Sequence, residues 1–222
     1  MYKVLVFLFL CIGISYSEEP IKTVEDNFNI EIEAKKMLVE VVDDIMLDFQ
    51  KTNLSKEEFL KKLDVIVDRI FAVKYMSMWA LGSYASTINE NQKVVFFDLV
   101  KRYFLVYYGT LLLNYSKSYN YEVGDVQKIS DSEAMVSIIL KAKDGSGDAN
   151  VSFLWKVRYN SKENKLFIVD CSVAGVSFLN NQRAEYESVL KSNDGDIDNF
   201  IQLLKLKVES LDKKEGVEAV KL

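Results

Sequence analysis

Apolar residues in this chain recur at three- and four-residue steps up to about Tyr115. From Ala134 to Val173 they recur at every second position, and after Gly175 the longer step returns. The first spacing keeps one face of a helix apolar, the second one face of a strand. Helices, then strands, then helices predict an α+β fold. No internal repeat, low-complexity tract or Pro/Gly linker divides the 222 residues, so one domain over 18–222 is expected.

The first helical stripe runs over 29–51 through Ala34, Met37, Leu38, Val41, Val42, Ile45 and Phe49. Ser55 with Glu58 forms a capping box ahead of Phe59, Leu60, Leu63, Ile66, Val67 and Ile70. A shorter helical piece over 73–85 carries Trp79 and Tyr84. Asn89 with Gln92 then starts a helix of about 25 residues reaching Tyr115. Apolar side chains encircle most of it, so it must be covered on several sides. Gly109 either admits a close neighbour there or weakens the helix.

Strands are expected over 119–129, 134–142, 151–159 and 166–173, joined in part by turns at 144–148 (Asp-Gly-Ser-Gly-Asp) and 160–164. They predict a four-stranded antiparallel β-meander whose apolar face is covered by the long helix. Ser177 caps a helix to Ser192, Gly195 ends it, and a last helix spans 197–211. The charged tail, 212–222, is expected to fray.

The amino terminus has another character. Lys3, an apolar run from Val4 to Ile14 and the small residues Ser15 and Ser17 have the layout of a cleaved secretory signal peptide over 1–17. The run is shorter than the roughly 20 residues that span a bilayer. Its removal takes away one lysine and no acid, moving the formal charge from −5 to −6. It also removes Cys11, leaving Cys171 without an internal disulfide partner and expected to be buried in a strand. The acidic balance argues against broad nucleic-acid binding. With no histidine in the chain, relays and metal sites that need imidazole are excluded.

Little else suggests chemistry. The Asp144–Asp148 stretch lacks the distal glutamate of a calcium loop and reads as a turn, and no metal site is expected. Asp170 is the best single candidate for a general base, in a small exported isomerase or hydrolase, against a structural, hydrogen-bonded role. A non-lipid adaptor with a solid core is a further alternative.

From residue 66 to 206 the chain resembles the MlaC family, the periplasmic phospholipid-binding component of the Mla lipid-asymmetry transport system, also called the toluene-tolerance family. The residues that carry the likeness are Ala80-Leu-Gly-Ser-Tyr84 followed by Phe96-Phe-Asp-Leu99, then the Tyr107–Tyr115 stretch. Most specific is Phe167-Ile-Val-Asp170 running into Gly175-Val-Ser177, Arg183, Leu190 and a Leu-rich terminal helix. Phe167 stands where the family usually has Trp, and Ala174 where Glu often precedes the glycine.

The resemblance implies a non-enzymatic carrier, exported to the periplasm, with phospholipid as cargo and no cofactor. Its implied partners are the inner-membrane Mla ABC transporter complex and an outer-membrane lipoprotein–porin complex; a monomer is expected. The implied fold is a curved sheet packed with helices, with an apolar cleft between. At about 0.8 kcal/mol per methylene, two sixteen-carbon tails carry on the order of 20 kcal/mol of burial, which demands such a cleft. Val136, Ile138, Leu140, Val151, Phe153, Trp155 and Val157 are its candidate sheet wall. Phe97, Phe104, Tyr107 and Leu111 are the candidates on the long helix. Arg158 or Arg102 would lie near a head group at the mouth. Asp170, Gly175, Ser177 and Arg183 are read as structural: a turn, a helix cap and a buried ion pair.

Overall fold

The computed structural model of the protein describes residues 28–51, 55–110, 119–143, 151–173 and 175–213. The expected signal peptide, Leu111, the 144–148 turn and the tail beyond Lys213 lie outside the described residues.

Among the described residues are six α-helices, five of which start at a side-chain cap. Asn29 accepts from the amides of Glu31 and Ile32 (2.9 and 3.2 Å) at the head of α1 (Ile30–Lys51). Capping boxes open α2 (Lys56–Ile70), through Ser55 and Glu58, and α4 (Glu90–Phe104), through Asn89 and Gln92. Between them α3 (Val73–Ala80) hands over to a 3-10 turn, Gly82–Ser86. Ser177 caps α5 (Phe178–Ser192), and Asp196 caps α6 (Ile197–Asp212). At the end of α6, Asp212 forms an ion pair with Arg102 at 2.8 Å.

Past Phe104 the expected long helix widens into a π turn, Leu105–Gly109, before Thr110. A Cβ on Gly109 would stand 2.7 Å from Leu60 Cδ2 and 2.9 Å from Leu63 Cδ2, so the glycine is what lets α2 pack this closely.

The strands form one antiparallel sheet in the order β1 (Tyr119–Ser130), β2 (Glu133–Ala142), β3 (Val151–Asn160), β4 (Lys165–Val173) and β5 (Val176–Ser177). The fifth strand corrects the four-strand expectation: two residues before α5 turn back and pair with Ser172 and Val173. So short a strand carries no period to read. Edge strand β1 is broken by register shifts between Val123 and Val126 and between Lys128 and Ser130. Lys35 of α1 donates to the carbonyl of Gly124 within the first of them (3.1 Å).

Two apolar cores result. The first joins α1 and α2 to the inner sheet face, where Ala134, Val136, Val157 and Ile168 are at most 1% exposed. The second, around Phe96, Leu190, Phe200 and Leu204, binds α4, α5 and α6 together. α1, α2, α3 and the start of α5 cover the sheet, and the described end of the long helix adds Phe104, Leu105 and Tyr108 to the same core. Phe96, Val100 and Tyr103 are buried on α4, and Phe96 meets Tyr186 and Phe200 of α5 and α6 at 6.0 and 5.9 Å. An all-round apolar helix satisfies this arrangement as well as the expected one.

Candidate functional site

The sheet wall is assembled in register. Val136 pairs with Trp155, Ile138 with Phe153, Ala134 with Val157 and Leu140 with Val151. The period of two puts all of them on the face that meets the helices. Val136, Ile138 and Val157 are buried; Phe153 and Trp155 pack on the first core partly covered, and Leu140 and Val151 are half-buried near the far end.

The helix side differs from expectation. Phe104 reaches the sheet-side core, with ring centroids 4.9 Å from Phe71 and 6.1 Å from Phe178. Phe97 instead packs on the second core beside Phe96, away from the sheet. Tyr107 stacks on Tyr103 at 5.7 Å with the rings nearly parallel. Its place toward the sheet is taken by Tyr108, which lies outside the expected set; Tyr108 meets Phe104 at 5.2 Å and Phe178 at 5.1 Å. The i, i+4 relation of Phe104 to Tyr108, beside that of Tyr103 to Tyr107, was the available signal.

Trp155, Phe71, Phe104, Phe178 and Tyr108 thus form a run of touching rings from the sheet into the helices, with Phe71 and Trp155 edge to face at 5.7 Å. Burial holds the Tyr108 phenol well above its ordinary pKa. Burial, with Asp170 alongside, pushes the Cys171 thiol up to about 12, as fits an unreactive strand residue. Along this seam, among the described residues, a cavity of about 20 Å³, room for about one water, lies between residues that include Phe71, Met76, Phe104, Phe178 and Gln182. Its walls are mostly apolar, with Lys101, Gln182 and Tyr186 the residues that carry polar groups; Gln182 is 3% exposed, and its Oε1 has no hydrogen-bond partner among the described residues.

Asp170 sits at the joint of sheet and helix. Its carboxylate accepts from the Cys171 amide (2.8 Å), the Ser177 hydroxyl (2.6 Å) and the Leu179 amide in the first turn of α5 (3.1 Å). Ser177 in turn accepts from the Asn180 amide (3.1 Å). Gly175 takes φ +80°, a left-handed conformation, in the turn between β4 and β5. Arg183 corrects the buried ion pair expected of it: it bonds Glu187 at 2.9 Å with both side chains about 40% exposed, and its guanidinium lies over Trp79. Gly82 explains the Leu-Gly-x-Tyr stretch, since a Cβ there would fall 2.0 Å from Glu187 Oε1. The two arginines offered for a head group are engaged elsewhere. Arg158 pairs with Glu133 and lies over Tyr75, while Arg102 holds Asp212.

Among the described residues no helix is long and apolar enough to cross a membrane, and no cluster of His, Cys, Asp or Glu could hold a metal ion. No curated protein matches the chain. A solved structure that matches is a phospholipid-binding protein from Ralstonia solanacearum, in complex with a phospholipid. It is 18% identical, covers 81% of this chain and 99% of its own, and superposes with a TM-score of 0.69. Such a likeness is one of fold. The MlaC protein family matches over residues 36–206, most of the chain and all of the sheet and seam described above. On that match, the chain belongs to the MlaC family.

Proposed function

We propose that the protein is a periplasmic phospholipid carrier, exported by cleavage of residues 1–17, that moves glycerophospholipid between the outer membrane and an inner-membrane ABC transporter complex. Family membership supports the reading. The observation that carries it is the run of rings from Trp155 to Tyr108, an apolar aromatic layer between the sheet and the helices on the sheet-side core. Ring–ring contacts are worth about 0.5–1.5 kcal/mol each. Parting several of them is small beside the roughly 20 kcal/mol that two acyl tails gain by leaving water. The tails would replace ring contacts with ring–methylene contacts, so the seam opens only when filled. The Asp170 carboxylate, engaged by three donors, fits a structural part better than a general base.

Organic extraction of the purified protein followed by mass spectrometry should release glycerophospholipid in near-stoichiometric amount. Preparations that hold no lipid and take none from vesicles would overturn the reading.

A further inference from the structure

A groove of about 250 Å³ opens on the surface between α1, the last turn of α2 and the start of β4. Its floor is Met37, Val41, Ile70 and Leu166, all part of the sheet-side core or packed on it. Its rim carries Glu40 and Asp44 from α1, Arg69 from α2 and Lys165 from β4. Met37, Glu40, Val41 and Asp44 share one face of α1 through their i, i+3, i+4, i+7 spacing. Arg69 bonds Asp44 at 3.0 Å, yet both side chains are about half exposed (52% and 56%), so the pair is weak and can exchange for another partner. The Lys165 ammonium rests over the Phe167 ring, 4.9 Å from its centroid, on an exposed side chain.

The rim is held in place by backbone. Phe71, next to Ile70, bridges to Ile168, and the Ala72 amide donates to the Ile168 carbonyl at 3.0 Å. A site already in position loses less entropy on binding. The groove also backs onto the seam: Ile70 lines the groove, while Val67 and Phe71 of the same stretch line the internal cavity.

We propose that this groove seats the head-group end of the carried phospholipid, and that its balanced rim selects a zwitterionic head group over an anionic one. The phosphate faces Arg69 and Lys165, and the ammonium faces Glu40 and Asp44. An anionic lipid satisfies the two cations and leaves the two carboxylates beside its net negative charge, a repulsive element that discriminates against it. The proposal rests on the carrier reading above and adds to it the place and class of the head group.

The test uses vesicles of equal phosphatidylethanolamine and phosphatidylglycerol. Purified protein is incubated with them and re-isolated, and its lipid is extracted and quantified. Wild-type protein should enrich phosphatidylethanolamine by about threefold to fivefold, the scale of one partly exposed charge contact. The Glu40→Gln/Asp44→Asn double variant should reverse the preference toward phosphatidylglycerol. Arg69→Gln/Lys165→Gln should reduce retention of both lipids by about threefold or more. All four positions are exposed, and matching urea midpoints establish that the variants fold. Bound lipid that mirrors the vesicles in all three proteins overturns the head-group assignment and leaves the carrier reading intact. A wild-type protein that takes up neither lipid overturns both.

Discussion

Replacing Asp170 by alanine removes the one carboxylate that ties β4 to the head of α5. Three donors lose their acceptor: the Cys171 amide, the Ser177 hydroxyl and the Leu179 amide. A hydrogen bond to a charged group contributes about 1.5–3 kcal/mol, and a carboxylate at a helix N-terminus gains a further fraction from the macrodipole. Asp170 is only partly buried, so water can reach some of these donors, and the full sum is not expected. A loss of about 2–4 kcal/mol follows for Asp170→Ala. Asp170→Asn keeps one acceptor oxygen and the side chain's shape, and should lose about 1–2 kcal/mol. Urea unfolding followed by circular dichroism measures both; at an m-value of about 2 kcal/mol/M the alanine midpoint falls by about 1–2 M. Lipid retention by folded Asp170→Asn should be unchanged. The reasoning fails if alanine costs under about 1 kcal/mol. It fails equally if the asparagine variant keeps wild-type stability and loses function, the behaviour of a reactive group.

Two further predictions follow from the packing. Gly82 has φ +58°, and its Cβ would displace the Arg183–Glu187 pair; Gly82→Ala should therefore cost about 2 kcal/mol and lower Tm by about 4–8 °C in a thermal melt, an unchanged Tm counting against the argument. Alkali should act through tyrosine. Burial raises the Tyr108 and Tyr186 phenols above the value of about 10 that they hold when unfolded. Both stay neutral in the folded state while the unfolded chain ionises, so their contribution is complete below pH 10 and is lost as pH rises beyond it, at about 3 kcal/mol per pH unit for the two. With no histidine in the chain, urea midpoints should be nearly flat from about pH 6 to 8, begin to fall as the unfolded Cys171 thiol ionises near its ordinary value of about 8.5, and fall steeply beyond pH 10; a flat profile through pH 11 would contradict the burial of these rings.

What the sequence reveals divides by range. Helix starts are local, and Ser55 with Glu58, Asn89 with Gln92, and Ser177 each place one where the backbone has it. The alternation through Val136, Ile138, Phe153, Trp155 and Val157 likewise identifies the face that meets the helices, because a one-residue slip would turn every side chain outward. Partners at long range are not legible in this way. Phe97 and Phe104 look alike on a helix apolar all round, and only tertiary packing sends one to α5 and α6 and the other to Phe71. Arg183 reads as half of a buried pair, but Glu187 lies one turn along the same helix surface and Trp79 covers only one side of it. The groove escapes altogether, since its rim joins residues from α1, α2 and β4 that together span more than a hundred positions, from Glu40 to Lys165.

The broken edge of the sheet has a consequence for how copies of this protein meet. A straight outer strand presents unpaired amides and carbonyls on which a neighbour can build. In β1 that template is interrupted at two places, and the Lys35 ammonium occupies the Gly124 carbonyl inside the first. At the opposite border, β5 covers only Ser172 and Val173, and the rest of β4 is bridged at Ile168 by Phe71 and the Ala72 amide. Among the described residues, molecules colliding edge to edge meet only short or interrupted stretches of ladder. Fibril growth from the native state is thus obstructed at both borders without a disulfide to lock them.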